Sequence, residues 1–227
     1  MHDGKYSTIY ELLRSRAKHG PQAVAILAPG RSALTYVELL GQVDEVARAL
    51  HGRGVQHTDS VAIVLPNGPE MAVTFLGVAA SAVCAPLNPA YSRSEFEFYL
   101  SDLKPKALIV QSDMHSAAIA VAEEHGIPIV ELIPNPEAAA GIFDLRDNEP
   151  PPPSDLKFPQ ATDNALILHT SGTTSRPKMV PLTHANLLAS AGSIVTTLRL
   201  SEADRCLNVM PLFHIHGLVG ALLSSMK

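Results

Sequence analysis

Short apolar runs alternate with helix-length segments over the first 132 residues, and this constrains the fold more than any other feature of the chain. Val61–Leu65, Val83–Leu87, Ala107–Val110 and Ile127–Leu132 each have the length and apolar content of a strand covered on both faces. Between and before them lie segments with helical character. Thr35 stands as an N-cap for a helix over Tyr36–His51, with apolar residues at Leu39, Leu40, Val43, Val46, Ala47 and Leu50, and Gly52 and Gly54 close it. Pro66-Asn67-Gly68-Pro69 turns the chain into a second helix ending near Ala82. Ser94 caps a third through Leu103, and a fourth spans Ser116–His125. Strands that alternate with helices pair in parallel, because each helix carries the chain back across the sheet. The expected class is α/β: doubly wound, mostly parallel, with helices on both faces.

The rhythm breaks at residues 134–160. Pro134, Pro136, the run Pro150–Pro153 and Pro159 leave little periodic apolar signal, so this reads as a connecting segment or surface loop. Beyond it come a strand at 165–169, a helix from about Thr183 to Leu198, a strand near Cys206–Val209 and the start of a helix after His216. The expected division is a first α/β subdomain at 1–160 and the start of a second α/β portion at 161–227. Val219-Gly220-Ala221-Leu222-Leu223 reads as a buried helix still in progress, so the chain is expected to be the N-terminal piece of a longer protein.

Composition narrows the function. A net charge of −5 gives no basic stripe for nucleic acid. No apolar run reaches the ~18 residues of a membrane span. The N-terminus lacks a charged-then-apolar signal pattern, and with Cys84 and Cys206 both in apolar surroundings a reducing cytoplasm is expected. Both thiols are expected to be buried.

The chemistry concentrates after the strand at 165–169. Residues 170–178 read Thr-Ser-Gly-Thr-Thr-Ser-Arg-Pro-Lys. Short hydroxyls and backbone N–H groups donate to phosphate oxygens from several sides, and an ammonium supplies charge. Gly172 allows close backbone approach, and Pro177 stiffens the segment carrying Lys178. Neither the dinucleotide fingerprint nor the ordinary P-loop spacing is present. Hydroxyl clusters between elements are also common as plain solvated turns.

The run Thr170-Ser171-Gly172-Thr173-Thr174-Ser175-Arg176-Pro177-Lys178-Met179-Val180 resembles the signature of the adenylate-forming (AMP-binding) superfamily. Its flanks resemble the same family: Leu182-Thr183-His184-Ala185-Asn186-Leu187 and Pro211-Leu212-Phe213-His214-Ile215-His216-Gly217-Leu218 downstream, Leu34-Thr35-Tyr36-Val37-Glu38-Leu39 and Leu65-Pro66-Asn67 upstream. Ser175 in place of a glycine, with Phe-His-x-His-Gly-Leu, resembles the oxalate–CoA ligase-like subgroup.

The resemblance implies the N-terminal part of the large domain of an acyl-CoA synthetase, an acid–thiol ligase. Such enzymes use ATP, Mg²⁺ and coenzyme A to convert a carboxylic acid to an acyl-adenylate and then to a thioester. It implies that Thr170, Ser171, Gly172, Thr173, Thr174, Ser175 and Lys178 hold the β- and γ-phosphates while the substrate carboxylate attacks the α-phosphorus. Lys178 is then the mobile cation, and His214 gates the carboxylate. It also implies that the Mg²⁺, adenine, ribose and most coenzyme A contacts lie in a missing C-terminal part of the same enzyme, so no metal site is expected here and the isolated piece is expected to be inactive.

Met179 departs from the pattern, where the family carries a second glycine. If the backbone there required positive φ, methionine would be strained by roughly 1–2 kcal/mol. This favours an alternative, a non-catalytic module that binds a nucleotide or a partner protein. For the remaining polar residues, Asn186 either braces the loop or belongs with His184 to a helix start. His216 reads as a core or surface imidazole, and Asp163 as a cap. The acyl substrate stays open between a short dicarboxylate and longer chains, as does a peroxisomal address.

Overall fold

The computed structural model describes residues 6–146, 157–170 and 177–227. Among these residues seven strands form one sheet, in the order β7-β6-β5-β3-β4-β8-β9. The inner five are β3 (Ser60–Val64), β4 (Val83–Pro86), β5 (Ala107–Gln111), β6 (Ile129–Pro134) and β8 (Asn164–Thr170), and they run parallel to one another. The outer two, β7 (Phe143–Arg146) and β9 (Lys178–Thr183), are antiparallel. A separate two-stranded ribbon pairs β1 (Val24–Ile26) with β2 (Leu34–Thr35).

The sheet is covered on both faces, as the apolar runs require. Side chains alternate along a strand, so Val61 and Ile63 enter one core while Ala62 and Val64 enter the other. The first core is covered by α1 (Ile9–His19), α2 (Tyr36–Gly52), α3 (Pro69–Ser81) and α6 (His184–Leu198); the second by α4 (Arg93–Leu103) and α5 (Ala117–Glu124). Helix α3 is buried along nearly its whole length. Its Gly77 sits against α2 so closely that an added Cβ would lie 2.7 Å from the Val46 Cβ. β8 pairs into the same sheet as the earlier strands, and α6 packs into the same first core.

Local chemistry sets the helix starts. Thr35 and Glu38 form a reciprocal capping box on α2, with Glu38 N–H donating to Thr35 Oγ1 at 3.4 Å and Thr35 N–H donating to the Glu38 carboxylate at 2.8 Å. For α4 the cap is Ser92, not Ser94. Glu95 closes a capping box with Ser92, a bond geometry that Ser94, inside the first turn, cannot make.

Three further expectations change. The segment after β6 is less irregular than its prolines suggest: β7 returns to pair with β6, and Arg31 ties the turn by donating to the carbonyls of Asn135, Ala138 and Ala139 and to Glu70 at 3.0 Å. Residues 147–156, including Pro150–Pro153, lie outside the described residues. No strand forms over Cys206–Val209. Leu207 and Val209 are 86% and 76% exposed, because no neighbouring strand among the described residues offers a ladder. Cys206 is accordingly exposed, whereas Cys84 is buried and its thiol pKa is pushed well up by desolvation. Finally, α1 has no counterpart in the sequence reading, although Thr8 caps it and Ile9, Leu12, Leu13 and Ala17 bury one face.

Candidate functional site

Parallel strands all end on one edge of a sheet, and α/β ligands gather outside that carboxyl edge where neighbouring crossovers run in opposite directions. Here β3 is the first parallel strand. The chain then steps to β4 on one side and to β5 on the other, which places the divide beside β3 and β4. The Pro66-Asn67 turn follows β3, and β8 ends at Thr170 one strand beyond β4. Counting along the register from Val61↔Cys84 and Cys84↔Leu166, Leu65 falls level with Thr170. At about 4.8 Å per strand, the two strand ends stand roughly 10 Å apart on the same edge.

The phosphate-loop stems are fixed by an antiparallel pair. Thr170 on β8 is the register partner of Lys178 on β9, and His169 is the partner of Met179. Directly opposed residues in such a pair share a face, so the Thr170 hydroxyl and the Lys178 ammonium leave the sheet on the same side, and both are exposed. Ser171, Gly172, Thr173, Thr174 and Ser175 lie outside the described residues. The strand β9 itself was not anticipated. It carries Pro181, which cannot donate to a ladder and suits the outermost of the described strands.

Met179 lies within β9, in ladder with His169, and is 39% exposed. The non-glycine residues of positive φ among the described residues are Lys104 and Arg199. Methionine therefore meets no left-handed backbone at this position, and the anticipated strain is absent.

His169 escaped the sequence reading, although it stands directly before the loop. Its side chain is only 4% exposed, and Nε2 lies 3.0 Å from Asp102 Oδ2 at the end of α4. Its ring and that of Tyr99 meet in a T-shaped contact at a centroid distance of 4.7 Å. With Phe98 at 6.3 Å as well, the stem of the loop is pinned to α4 by one polar and two aromatic contacts.

His214 stands in a turn between the irregular segment and the helix that follows. The turn closes with His214 N–H donating to Pro211 O at 3.1 Å, and a π-helical stretch, His216–Leu223, follows. The His216 N–H donates to His214 Nδ1 at 3.3 Å. With Nδ1 accepting, a neutral ring carries its proton on Nε2, and the exposed imidazole is a donor at that atom. Gly217 is obligatory for this compact turn, since a Cβ would sit 2.4 Å from Pro211 O. The whole turn is held to the end of β3 because Leu212 N–H donates to Asn67 Oδ1 at 2.9 Å.

The residues after β9 have structural roles. Asn186 is the third residue of a capping box, its Oδ1 accepting from Thr183 N–H at 3.1 Å and from Thr183 Oγ1 at 2.9 Å. It belongs to the helix start. His184 is fully buried beneath α1. Its Nδ1 accepts from Ile9 N–H at 3.2 Å, Nε2 has no hydrogen-bond partner, and desolvation pulls its pKa down to about 4 against the smaller opposing pull of Asp163 and Glu11. Directly before β8, Asp163 accepts from Gln160 N–H at 2.7 Å, a local turn bond. Among the described residues no group of three or more His, Cys, Asp or Glu side chains comes together as a metal site, and no helix is long and apolar enough to cross a membrane.

Known proteins agree with this architecture. The family model described as AMP-binding enzyme matches residues 13–227. The chain is 41% identical over 222 residues to a probable CoA ligase, CCL9, of Humulus lupulus, covering 96% of this chain and 42% of that one. It is 38% identical over 222 residues to an oxalate–CoA ligase of Arabidopsis thaliana, covering 96% and 43% respectively. Among solved structures, ATP-bound MatB from Rhodopseudomonas palustris superposes with a TM-score of 0.78 at 28% identity, covering 97% of this chain and 43% of MatB. The chain therefore spans rather less than half the length of these relatives.

Proposed function

The chain belongs to the AMP-binding enzyme family, and from that premise we propose that its residues do the phosphate-holding work of an ATP-dependent carboxylate–CoA ligase. The observation that carries this is the Thr170↔Lys178 pair. It brings both stems of the hydroxyl-rich loop to one point on the carboxyl edge of a parallel sheet, with an ammonium on the same face as a hydroxyl. Such an arrangement suits the β- and γ-phosphates of ATP, whose growing charge must be met by donors already in place.

In this reading Thr170 and the hydroxyls of Ser171, Thr173, Thr174 and Ser175 donate to phosphate oxygens, Gly172 gives backbone access, and Lys178 compensates charge as the carboxylate attacks the α-phosphorus and pyrophosphate leaves. His214 offers its Nε2–H to the incoming carboxylate. Residues 1–160 build most of the sheet, and 161–227 begin the portion that carries the loop and the His214 turn. The adenine, ribose and coenzyme A contacts are assigned to polypeptide beyond these residues, as is Mg²⁺.

For the acid we place a small dicarboxylate such as oxalate first. Ser175, the Phe213-His214-Ile215-His216-Gly217-Leu218 run and the identity to an oxalate–CoA ligase all support it. The non-catalytic alternative leaned on Met179, and with that residue in ordinary extended backbone its support falls away. The cytoplasm suits this reading.

The test is ATP–pyrophosphate exchange by the complete enzyme across a panel of carboxylic acids, with Lys178→Ala and Met179→Gly alongside. Acid-dependent exchange is expected, reduced at least ~100-fold by Lys178→Ala and little changed by Met179→Gly. Absence of acid-dependent exchange with every acid, or full exchange in Lys178→Ala, would refute the assignment.

A further inference from the structure

Asn67 occupies a turn just before α3, where an asparagine side chain ordinarily bonds to its own helix start or to the next peptide groups. Here it does neither for α3, whose first turn has Gly68 at the cap and no side-chain cap bond. Its Oδ1 instead accepts the N–H of Leu212, 145 residues on, at 2.9 Å. Asn67 is itself exposed, while Leu212 is 4% exposed and belongs to the first core. An exposed side chain spanning to the backbone of a distant turn contributes little to core packing, so its effect falls on where that turn sits.

We propose that Asn67 is a positioning residue for His214, acting through the Leu212 peptide to set the imidazole against the acid. Leu212 and the following His216–Leu223 stretch anchor the turn through apolar packing, and among the described residues Asn67 is the side chain from another element that hydrogen-bonds to it. Pro211 O is taken by the His214 N–H, His214 O by the Leu218 N–H, and His214 Nδ1 by the His216 N–H, so the turn is rigid within itself. A rigid turn moves as a body, and the Asn67 bond joins that body to the end of the central strand β3. The preceding segment, 201–210, forms neither strand nor helix. The phosphate-loop stems are fixed separately, through β9 and the Asp102–His169 contact. Loss of the Asn67 bond therefore affects the acid and spares the nucleotide. This inference rests on the assignment of His214 to the carboxylate.

The test uses the complete enzyme with oxalate or its best acid, comparing Asn67→Leu (similar size, no acceptor) with Asn67→Asp (acceptor kept). Asn67→Leu is expected to raise the KM for the acid about tenfold while the KM for ATP stays within about twofold, and Asn67→Asp is expected to recover most of the difference. Equal effects on both substrates, no effect on the acid, or no recovery by Asn67→Asp would overturn the proposal. Asn67→Ser, whose hydroxyl is too short to reach Leu212, serves if Asn67→Leu misfolds. Amide hydrogen exchange supplies an arm independent of turnover. Asn67→Leu is expected to speed exchange at the Leu212 N–H several-fold relative to the His216 N–H inside the turn, and unchanged exchange at Leu212 overturns the proposal. If the wild-type enzyme activates no acid, the ligase assignment fails, and exchange at Leu212 alone decides whether Asn67 holds the turn.

Discussion

His184 should make this fold acid-sensitive by an amount that can be worked out. The ring is fully buried, and its Nδ1 accepts from Ile9 N–H. Protonating Nδ1 would set two donors against each other and place a charge in the first core. Desolvation accordingly lowers the folded-state pKa to about 4 from an unfolded value of 6.5. Because the folded pKa is the lower one, the unfolded chain takes up the proton first. Stability is complete above about pH 7, falls as pH drops through 6.5, and stops falling below 4. At roughly 1.4 kcal/mol per pKa unit, the loss is about 2 kcal/mol at pH 5 and about 3 kcal/mol below pH 4. The assay is urea unfolding followed by circular dichroism from pH 8 to 4.5, comparing the protein with His184→Asn, which keeps an acceptor for Ile9 but does not titrate. The variant loses packing at every pH, so the informative quantity is the pH dependence of the difference. The gap between the two proteins should narrow by about 2 kcal/mol between pH 8 and pH 5. A gap constant to within about 0.5 kcal/mol would refute the reasoning.

Other consequences are equally direct. Gly77→Ala places a methyl 2.7 Å from the Val46 Cβ and should destabilise by about 1–3 kcal/mol, read as a lower urea midpoint. Gly217→Ala drives a Cβ into Pro211 O and should impair acid activation in pyrophosphate exchange by ~10-fold or more while leaving nucleotide binding largely intact. Asp102→Ala removes the partner of the nearly buried His169 and should weaken ATP binding several-fold by calorimetry, with Asp102→Asn showing the smaller loss. Cys84 should react with a thiol reagent only on unfolding, because burial both shields the thiol and disfavours the thiolate.

Much of this was readable along the chain because it is local. Thr35 announces α2 by residue type and place, since a cap acts within one turn, while the boxes it forms with Glu38 and that Thr183 forms with Asn186 emerged only in the folded chain. The strands β3 to β6 and β8 were visible because burial on both faces demands continuous apolar runs. The run at 170–178 carried its phosphate chemistry in residue type. What failed depended on distant neighbours. The run at Cys206–Val209 had the composition of a strand but no partner edge among the described residues. β9 looked like a continuation of the loop, yet it became a strand because β8 offered a ladder.

The primary structure thus determined the layered α/β class, the start of α2 and the hydroxyl-rich segment with its lysine, since propensity, capping and residue chemistry act over a few positions. Only folding decided that Thr170 faces Lys178, that Asp102 steadies His169, that a buried His184 stays neutral, and that Asn67 reaches Leu212. Each of these joins groups from different parts of the chain, and hydrogen bonding and desolvation depend on distance in space, which one-dimensional order does not contain.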